Sequence, residues 1–306
     1  MKGLDLCRAY YETYGKPMLE NEFFDVIDRI AVGLVGHGSE CFGFDDEISR
    51  DHDFEPGFSL WLTEEDEREF GFRLFRAYRK LPKEFMGVSL QEISVLGSHT
   101  RGVHTIGEFY RYYTGCDGAP DSLDAWVKIP SFYLAEAVNG EVFHDPCGAF
   151  SKIRREIAEE MPEDARKKRL ASALFLMAQA GQYNVMRCLK HGENGAATLA
   201  LMQFAEQALQ VIFLLNRRYC PYYKWSFKAL ASLPILKEEG LLLESLLVEK
   251  LDWNVTSGIE RIAKGTAKEL IHQGYCHDLG DYLEPYAYHI QNSIRDHTLR
   301  TMPIIL

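Results

Sequence analysis

Apolar and polar positions change their spacing along the chain, and the change separates two kinds of structure. In residues 1–148, short apolar runs alternate with helical stretches. Leu4 to Tyr14 and Glu20 to Ile30 carry apolar side chains at helical spacing. Ala31-Val32-Gly33-Leu34-Val35 is a continuous apolar run, the pattern of a buried strand. Phe58-Ser59-Leu60-Trp61-Leu62 reads as a second strand, continuing an extended segment that carries Asp51 and Asp53, with Pro56-Gly57 as a bulge or turn inside it. Thr63 opens a helix, since its hydroxyl can cap the first turn and Glu64, Glu65 and Asp66 suit the positive end of the helix dipole. Glu141 to His144 is a further short strand, closed by Asp145-Pro146.

Beyond Phe150 the apolar spacing is helical throughout. Leu170, Leu174 and Met177 recur at that period, as do Met202, Ala205, Leu209 and Ile212, and then Ile259, Ile262, Thr266 and Leu270. The expected architecture is an α/β (α+β) domain with a small mixed sheet over residues 1–148, then an all-α helical bundle over 149–306, with a hinge near Cys147-Gly148.

Composition narrows the function classes. With 306 residues, 46% hydrophobic and 26% charged, the chain can bury substantial cores. A net charge of −11 gives no global field to attract polyanions, so nucleic acid would need a local basic patch. The seven cysteines are scattered and never paired as C-x-x-C, which speaks against a disulfide framework or a structural zinc site. The sequence starts Met1-Lys2-Gly3-Leu4-Asp5, without the apolar run of a signal peptide, and no run reads as a membrane span, so the expected location is cytoplasmic.

Candidate chemistry concentrates between Gly36 and Asp53. On an extended segment, Asp51 and Asp53 project to one face while His52 points to the other, and two carboxylates on one face suit a divalent metal. Gly38-Ser39 offers a close backbone approach, amide donors and a hydroxyl, which suit a polyphosphate. Familiar phosphate and calcium loops fit less well. Gly33-x4-Gly38-Ser39 puts serine where a Walker A loop has lysine, Gly36-x-Gly38-x-x-Cys41 lacks the third dinucleotide glycine, and an EF-hand alignment meets Arg50 and Pro56 at its sixth and twelfth positions.

The order Gly38-Ser39 and then Asp51-x-Asp53 resembles the signature of the DNA polymerase β-like nucleotidyltransferases. The longer string Gly38-Ser39-Glu40-Cys41-Phe42-Gly43-Phe44-Asp45-Asp46-Glu47-Ile48-Ser49-Arg50-Asp51-His52-Asp53 resembles the DUF4037 family, a branch related to kanamycin-type nucleotidyltransferases. The similarity continues at Trp126, Gly140-Glu141-Val142-Phe143-His144-Asp145 and Asn216-Arg217-Arg218-Tyr219-Cys220-Pro221-Tyr222-Tyr223-Lys224-Trp225.

The resemblance implies that Gly38 and Ser39 hold the β- and γ-phosphates of ATP or another NTP and that Asp51 and Asp53 bind Mg²⁺. It also implies a third carboxylate on a later strand, where Gly102-Val103-His104-Thr105-Ile106 carries His104. His104 is then either a general base or a packing histidine, with Glu92, Glu108 and Glu136 as substitute acids. Lys224 would neutralise triphosphate across an interdomain cleft, or else sit on an aromatic corner, and Arg187 with Lys190 gives a second anion contact or a solvated face. Arg166-Lys167-Lys168-Arg169 reads as a solvated helix start, with an RNA patch as the alternative. The activity implied is Mg²⁺-dependent NMP transfer to a hydroxyl, on a small molecule in preference to protein or RNA, with no membrane partner. The alternative is a nucleotide-binding sensor or antitoxin-like module that has lost turnover; NTP hydrolysis without an acceptor is a third option.

Overall fold

Helix α1 (Gly3–Tyr10) passes through a π-helical segment, Tyr11–Gly15, into α2 (Lys16–Glu22), in the computed structural model that describes residues 1–48, 54–89, 101–248 and 251–306. The helix expected from Glu20 to Ile30 stops at Glu22. Phe23 leaves helical geometry, with φ of −134°, and it and Val26 turn into the core, leaving a single 3-10 turn at Ile27–Arg29.

The apolar run then forms β1 (Ala31–Leu34), buried along its whole length, and β2 (Ser59–Leu62) follows. Thr63 caps α3 (Glu64–Asp66): the Asp66 amide donates to its hydroxyl at 3.2 Å, and that hydroxyl donates to the Asp66 carboxylate at 2.6 Å. A second π-helical segment leads on to α4 (Phe72–Tyr78). A small hairpin of β3 (Glu84–Phe85) and β4 (Val88–Ser89) turns at Met86 and Gly87, both at positive φ, the conformation that matches strand twist in two-residue turns. Next come β5 (Gly102–Thr105), α5 (Ile106–Thr114), α6 (Leu123–Lys128), α7 (Ser131–Val138), β6 (Glu141–His144) and α8 (Ala149–Glu159).

These strands make a mixed sheet in the order β5-β2-β1-β6. β1 is antiparallel to β2 and to β6, whereas β2 and β5 run parallel with Trp61 opposite His104. Side-chain alternation sends Leu60 and Leu62 into a core with Val32, Phe58, Tyr11 and Leu19, and sends Trp61 to the other face. There Trp61 stacks on Phe150 of α8 at 4.0 Å and meets the edge of Phe109 of α5 at 5.4 Å. The fold is therefore α+β with a small mixed sheet and a majority of helix, as the residue pattern implies.

The described residues divide into two units, Met1–Asp121 with Tyr133–Glu160, and Ser122–Phe132 with Met161–Leu306. Helix α8 thus belongs with the sheet, beyond the hinge expected at Cys147-Gly148, because Phe150 is a sheet-packing residue.

The second unit is helical: α9 (Glu163–Met177), a π-helical segment at Ala178–Val185, α10 (Met186–Lys190), α11 (Asn194–Leu215), α12 (Tyr223–Leu230), α13 (Lys237–Val248), α14 (Val255–His272), α15 (Leu283–Asn292) and α16 (His297–Thr301). Helix α11, at 22 residues, is long and apolar enough to cross a membrane by length and composition alone, although polar residues interrupt its apolar run. Here it is a core helix, burying Phe204, Ile212 and Leu215 among others and packing on α9.

The basic run at the start of α9 is not the solvated face expected. Arg166 and Lys168 are buried, Arg169 donates to the carbonyls of Trp126 and Ile129, and the Lys168 ammonium donates to Gln291 Oε1 at 3.0 Å and to the Pro303 carbonyl at 2.5 Å. Burial holds Arg169 below its ordinary pKa, at about 10. Lys168 so placed holds the C-terminal segment and Arg169 the end of α6, so these charges do not form a solvated face.

Candidate functional site

The chain leaves β1 at Leu34 and enters a turn that only glycine can take twice. Gly36 and Gly38 have φ of +119° and +118°. A Cβ at Gly38 would stand 2.5 Å from a carboxylate oxygen of Glu40. Asn139, between α7 and β6, clamps the turn by accepting from the Gly36 amide at 2.8 Å and donating to its carbonyl at 2.7 Å. Arg154 of α8 in turn donates to the carbonyls of Asn139 and Gly140, and the Gly140 amide donates to the Cys41 carbonyl. The Phe44 amide closes the loop on the Ser39 carbonyl at 2.9 Å. Ser39 is half-buried, and its hydroxyl makes no hydrogen bond among the described residues.

Beneath the turn lies a charged cluster that the linear sequence conceals. Arg101, just before β5, is 8% exposed and reaches Glu40 at 3.3 Å and Glu55 at 3.5 Å; those carboxylates are 6% and 16% exposed. It also donates to the Glu55 carbonyl at 3.3 Å. Burial opposes the guanidinium charge, yet Cys7, Glu40 and Glu55 outweigh it and raise its pKa. Cys41, whose thiol contacts the His37 carbonyl, is pushed well up by burial and then by Glu40, so it is no thiolate nucleophile. No local spacing could reveal the cluster, since its members come from three distant stretches of chain.

His37 and Glu136 meet on another side of the turn, with Nδ1 3.5 Å from Oε1. Glu136, on α7, is buried, while His37 is exposed. Tyr113 lies beside them, its hydroxyl raised by burial and then by Glu136 while a hydrogen bond to the His37 backbone works the other way. Tyr112 and Tyr133 pack edge to face at 6.1 Å nearby, and Glu136 raises the Tyr112 hydroxyl after burial and Tyr133.

The anticipated site residues fare differently. Gly38 and Ser39 lie in the clamped turn. Asp51, His52, Asp53 and Glu92 fall outside the described residues. His104 stands on β5 opposite Trp61 of β2, with Nε2 3.2 Å from the Arg101 carbonyl. Glu108 is committed to a reciprocal capping box with Thr105 at the start of α5. Asp45 caps α1 by accepting from the Gly3 amide at 2.8 Å. Lys224 and Arg187 belong to the second unit: Lys224 lies over the Trp225 ring at 5.1 Å, and exposed Arg187 donates to the Tyr183 hydroxyl at 3.0 Å. Among the described residues no group of three His, Cys, Asp or Glu side chains is placed to hold a metal. Glu40 and Glu55 are engaged by Arg101.

The family model described as "Domain of unknown function (DUF4037)" matches residues 126–226, running from α6 to α12. The resemblance read from the sequence therefore holds over that segment. No curated protein and no solved structure matches the chain.

Proposed function

We propose that the protein is a Mg²⁺-dependent nucleotidyltransferase, moving a nucleoside monophosphate from an NTP, with ATP favoured, to the hydroxyl of a small-molecule acceptor. The observation that carries this reading is the clamped glycine turn after β1, with two positive-φ glycines and a half-buried serine hydroxyl that makes no internal hydrogen bond among the described residues. Such a turn holds phosphate oxygens through amides and a hydroxyl that need no rearrangement. Arg101 keeps the Glu40 charge paired next to Gly38, limiting the repulsion that an incoming polyphosphate would meet.

Asp51 and Asp53, in the connection between β1 and β2, are the residues that would hold Mg²⁺. When bound, the ion supplies charge neutralisation to the phosphates. Glu136 is the substitute carboxylate that best suits proton removal from an acceptor, because it is buried beside the turn and Glu108 is committed to a helix cap.

One observation favours the second reading, a nucleotide sensor without turnover. The strand parallel to β2 presents His104 where the resemblance calls for an acid, and the ring nitrogen is within hydrogen-bond distance of the Arg101 carbonyl. Calorimetry with ATP and Mg²⁺, run beside a pyrophosphate-release assay over a panel of hydroxyl acceptors, separates the two. The enzyme reading expects Mg²⁺-dependent binding and acceptor-dependent release, both lost in Asp51→Asn and Asp53→Asn at unchanged thermal midpoint. Binding without release over the whole panel supports the sensor, and wild-type binding in both variants overturns the metal site.

A further inference from the structure

A cavity of about 1370 Å³ lies within the second unit, far from empty of chemistry yet assigned no role by the nucleotide reading. Its floor is apolar and buried, formed by Leu201, Ala205 and Leu209 of α11 with Leu246 of α13. The lining also carries the aromatic rings of Phe132, Tyr222, Tyr223 and Phe227, an aromatic wall. Phe132 and Tyr222 meet edge to face at 5.8 Å, and Tyr222 and Tyr223 lie 4.3 Å apart between ring centres. The Cys220 amide donates to the Ser131 hydroxyl at 2.8 Å, tying the chain before α12 to the start of α7 and fixing the wall. Tyr223 is nonetheless 75% exposed, so the wall presents ring surface to whatever enters.

Among the described residues the lining contains one charged side chain, Glu206. It sits in a polar stripe on α11 between Gln203 and Gln210, at helical spacing that puts all three on one face. Among the described residues it forms no salt bridge and no hydrogen bond, and its charge is felt inside the cavity, where it adds to burial in raising the Cys220 thiol to about 12. The nearest basic side chains on α12, Lys224 and Lys228, lie over the Trp225 ring at 5.1 and 6.0 Å and are not part of the lining. A carboxylate with no ion pair among the described residues, an apolar floor and electron-rich rings are together complementary to positive charge on an apolar body.

We propose that this cavity is a binding site for a small amphipathic organic cation, an amine or quaternary ammonium on an aromatic or aliphatic body, with Glu206 and the tyrosine faces receiving the charge. The site is independent of nucleotide transfer and stands or falls separately from it. An anionic nucleotide is the wrong charge for it, and a polyhydroxylated polycation has too little apolar surface for the floor.

The test uses the full chain and a matched pair of fluorescent probes, dansylcadaverine, which carries a primary amine, and its neutral N-acetyl derivative. Saturable, blue-shifted emission is expected with the amine, at an affinity roughly ten-fold above that of the acetylated probe. Glu206→Gln should weaken the amine to the level of the acetylated probe and leave the latter unchanged, while Tyr223→Ala should weaken both. Thermal midpoints establish that both variants fold. Equal affinity for the two probes, no effect of Glu206→Gln, or no saturable signal overturns the proposal. So does light scattering that shows a concentration-dependent dimer whose formation excludes the amine, because the cavity would then be the seat of a second copy.

Discussion

Replacing Arg101 by methionine removes a cation that two carboxylates share, and the consequence can be worked from the cluster itself. Glu40 at 6% and Glu55 at 16% exposure would lose the guanidinium that reaches them at 3.3 and 3.5 Å. Breaking a buried ion pair by deleting one partner costs about 3–5 kcal/mol, because the remaining charge stays desolvated. The Glu55 carbonyl loses a donor as well. Urea denaturation followed by circular dichroism should therefore show a stability loss of about that size, with the slope against denaturant unchanged. The double variant Arg101→Met with Glu40→Gln separates charge from packing: removing the stranded charge should return about 1–2 kcal/mol, a coupling typical of residues in one network. A loss below about 1 kcal/mol in the single variant, or strict additivity in the double, would show that solvent already screens the cluster and would refute the argument.

Gly38→Ala forces a side chain into φ of +118° and against Glu40, so a loss of about 1–3 kcal/mol is expected in thermal or chemical denaturation; a neutral substitution would mean the turn relaxes freely. Lys168→Met strips the donors from Gln291 and from the Pro303 and Ile304 carbonyls, which should cost about 1–3 kcal/mol and speed amide exchange in residues 299–306. Unchanged exchange there would show that the tail is held by other contacts. Burial raises the hydroxyls of Tyr10 and Tyr11 from 10 to about 12, so the unfolded chain releases those protons first as pH rises. The contribution of these two rings should be intact below pH 10 and be lost between pH 10 and 12 by about 1.4 kcal/mol per pH unit for each ring. Tyr11→Phe keeps the packing on Phe58 and Phe143 and should flatten that slope; an unaltered alkaline profile would remove Tyr11 from the account.

The parts of the fold that could be read in advance are those whose cause is local. Ala31 to Leu34, Ser59 to Leu62 and Glu141 to His144 became strands because a short apolar or alternating run bounded by turn residues has few other ways to bury itself. Thr63 capped its helix for the same kind of reason. The basic run at Arg166 to Arg169 differs from its expectation because its acceptors are distant in sequence: Gln291 and the carbonyls of Pro303 and Ile304 for Lys168, and those of Trp126 and Ile129 for Arg169. No spacing within the run distinguishes a buried cation from a solvated one. The helix expected through Ile30 failed at Phe23 because the pull of the core on that ring outweighed helical periodicity, a tertiary effect that propensity does not contain.

The candidate site divides along the same line, and the division bears on which function is tested first. The tight turn at Gly36 and Gly38 was legible because glycine accepts positive φ. The Arg101 cluster and the pairing of His37 with Glu136 were not, since each is assembled by strand order and helix placement. A buried carboxylate beside the glycine turn can act on a proton only if it can exchange it with an acceptor, whereas one held by an exposed histidine can also be structural. Glu136→Gln distinguishes the two: in the enzyme reading it should lower the acceptor-dependent rate at least about 100-fold while ATP affinity stays within about two-fold, because proton transfer and phosphate binding draw on different groups. Parallel loss of nucleotide binding would instead make Glu136 a brace for the turn and return the search for the base to His104.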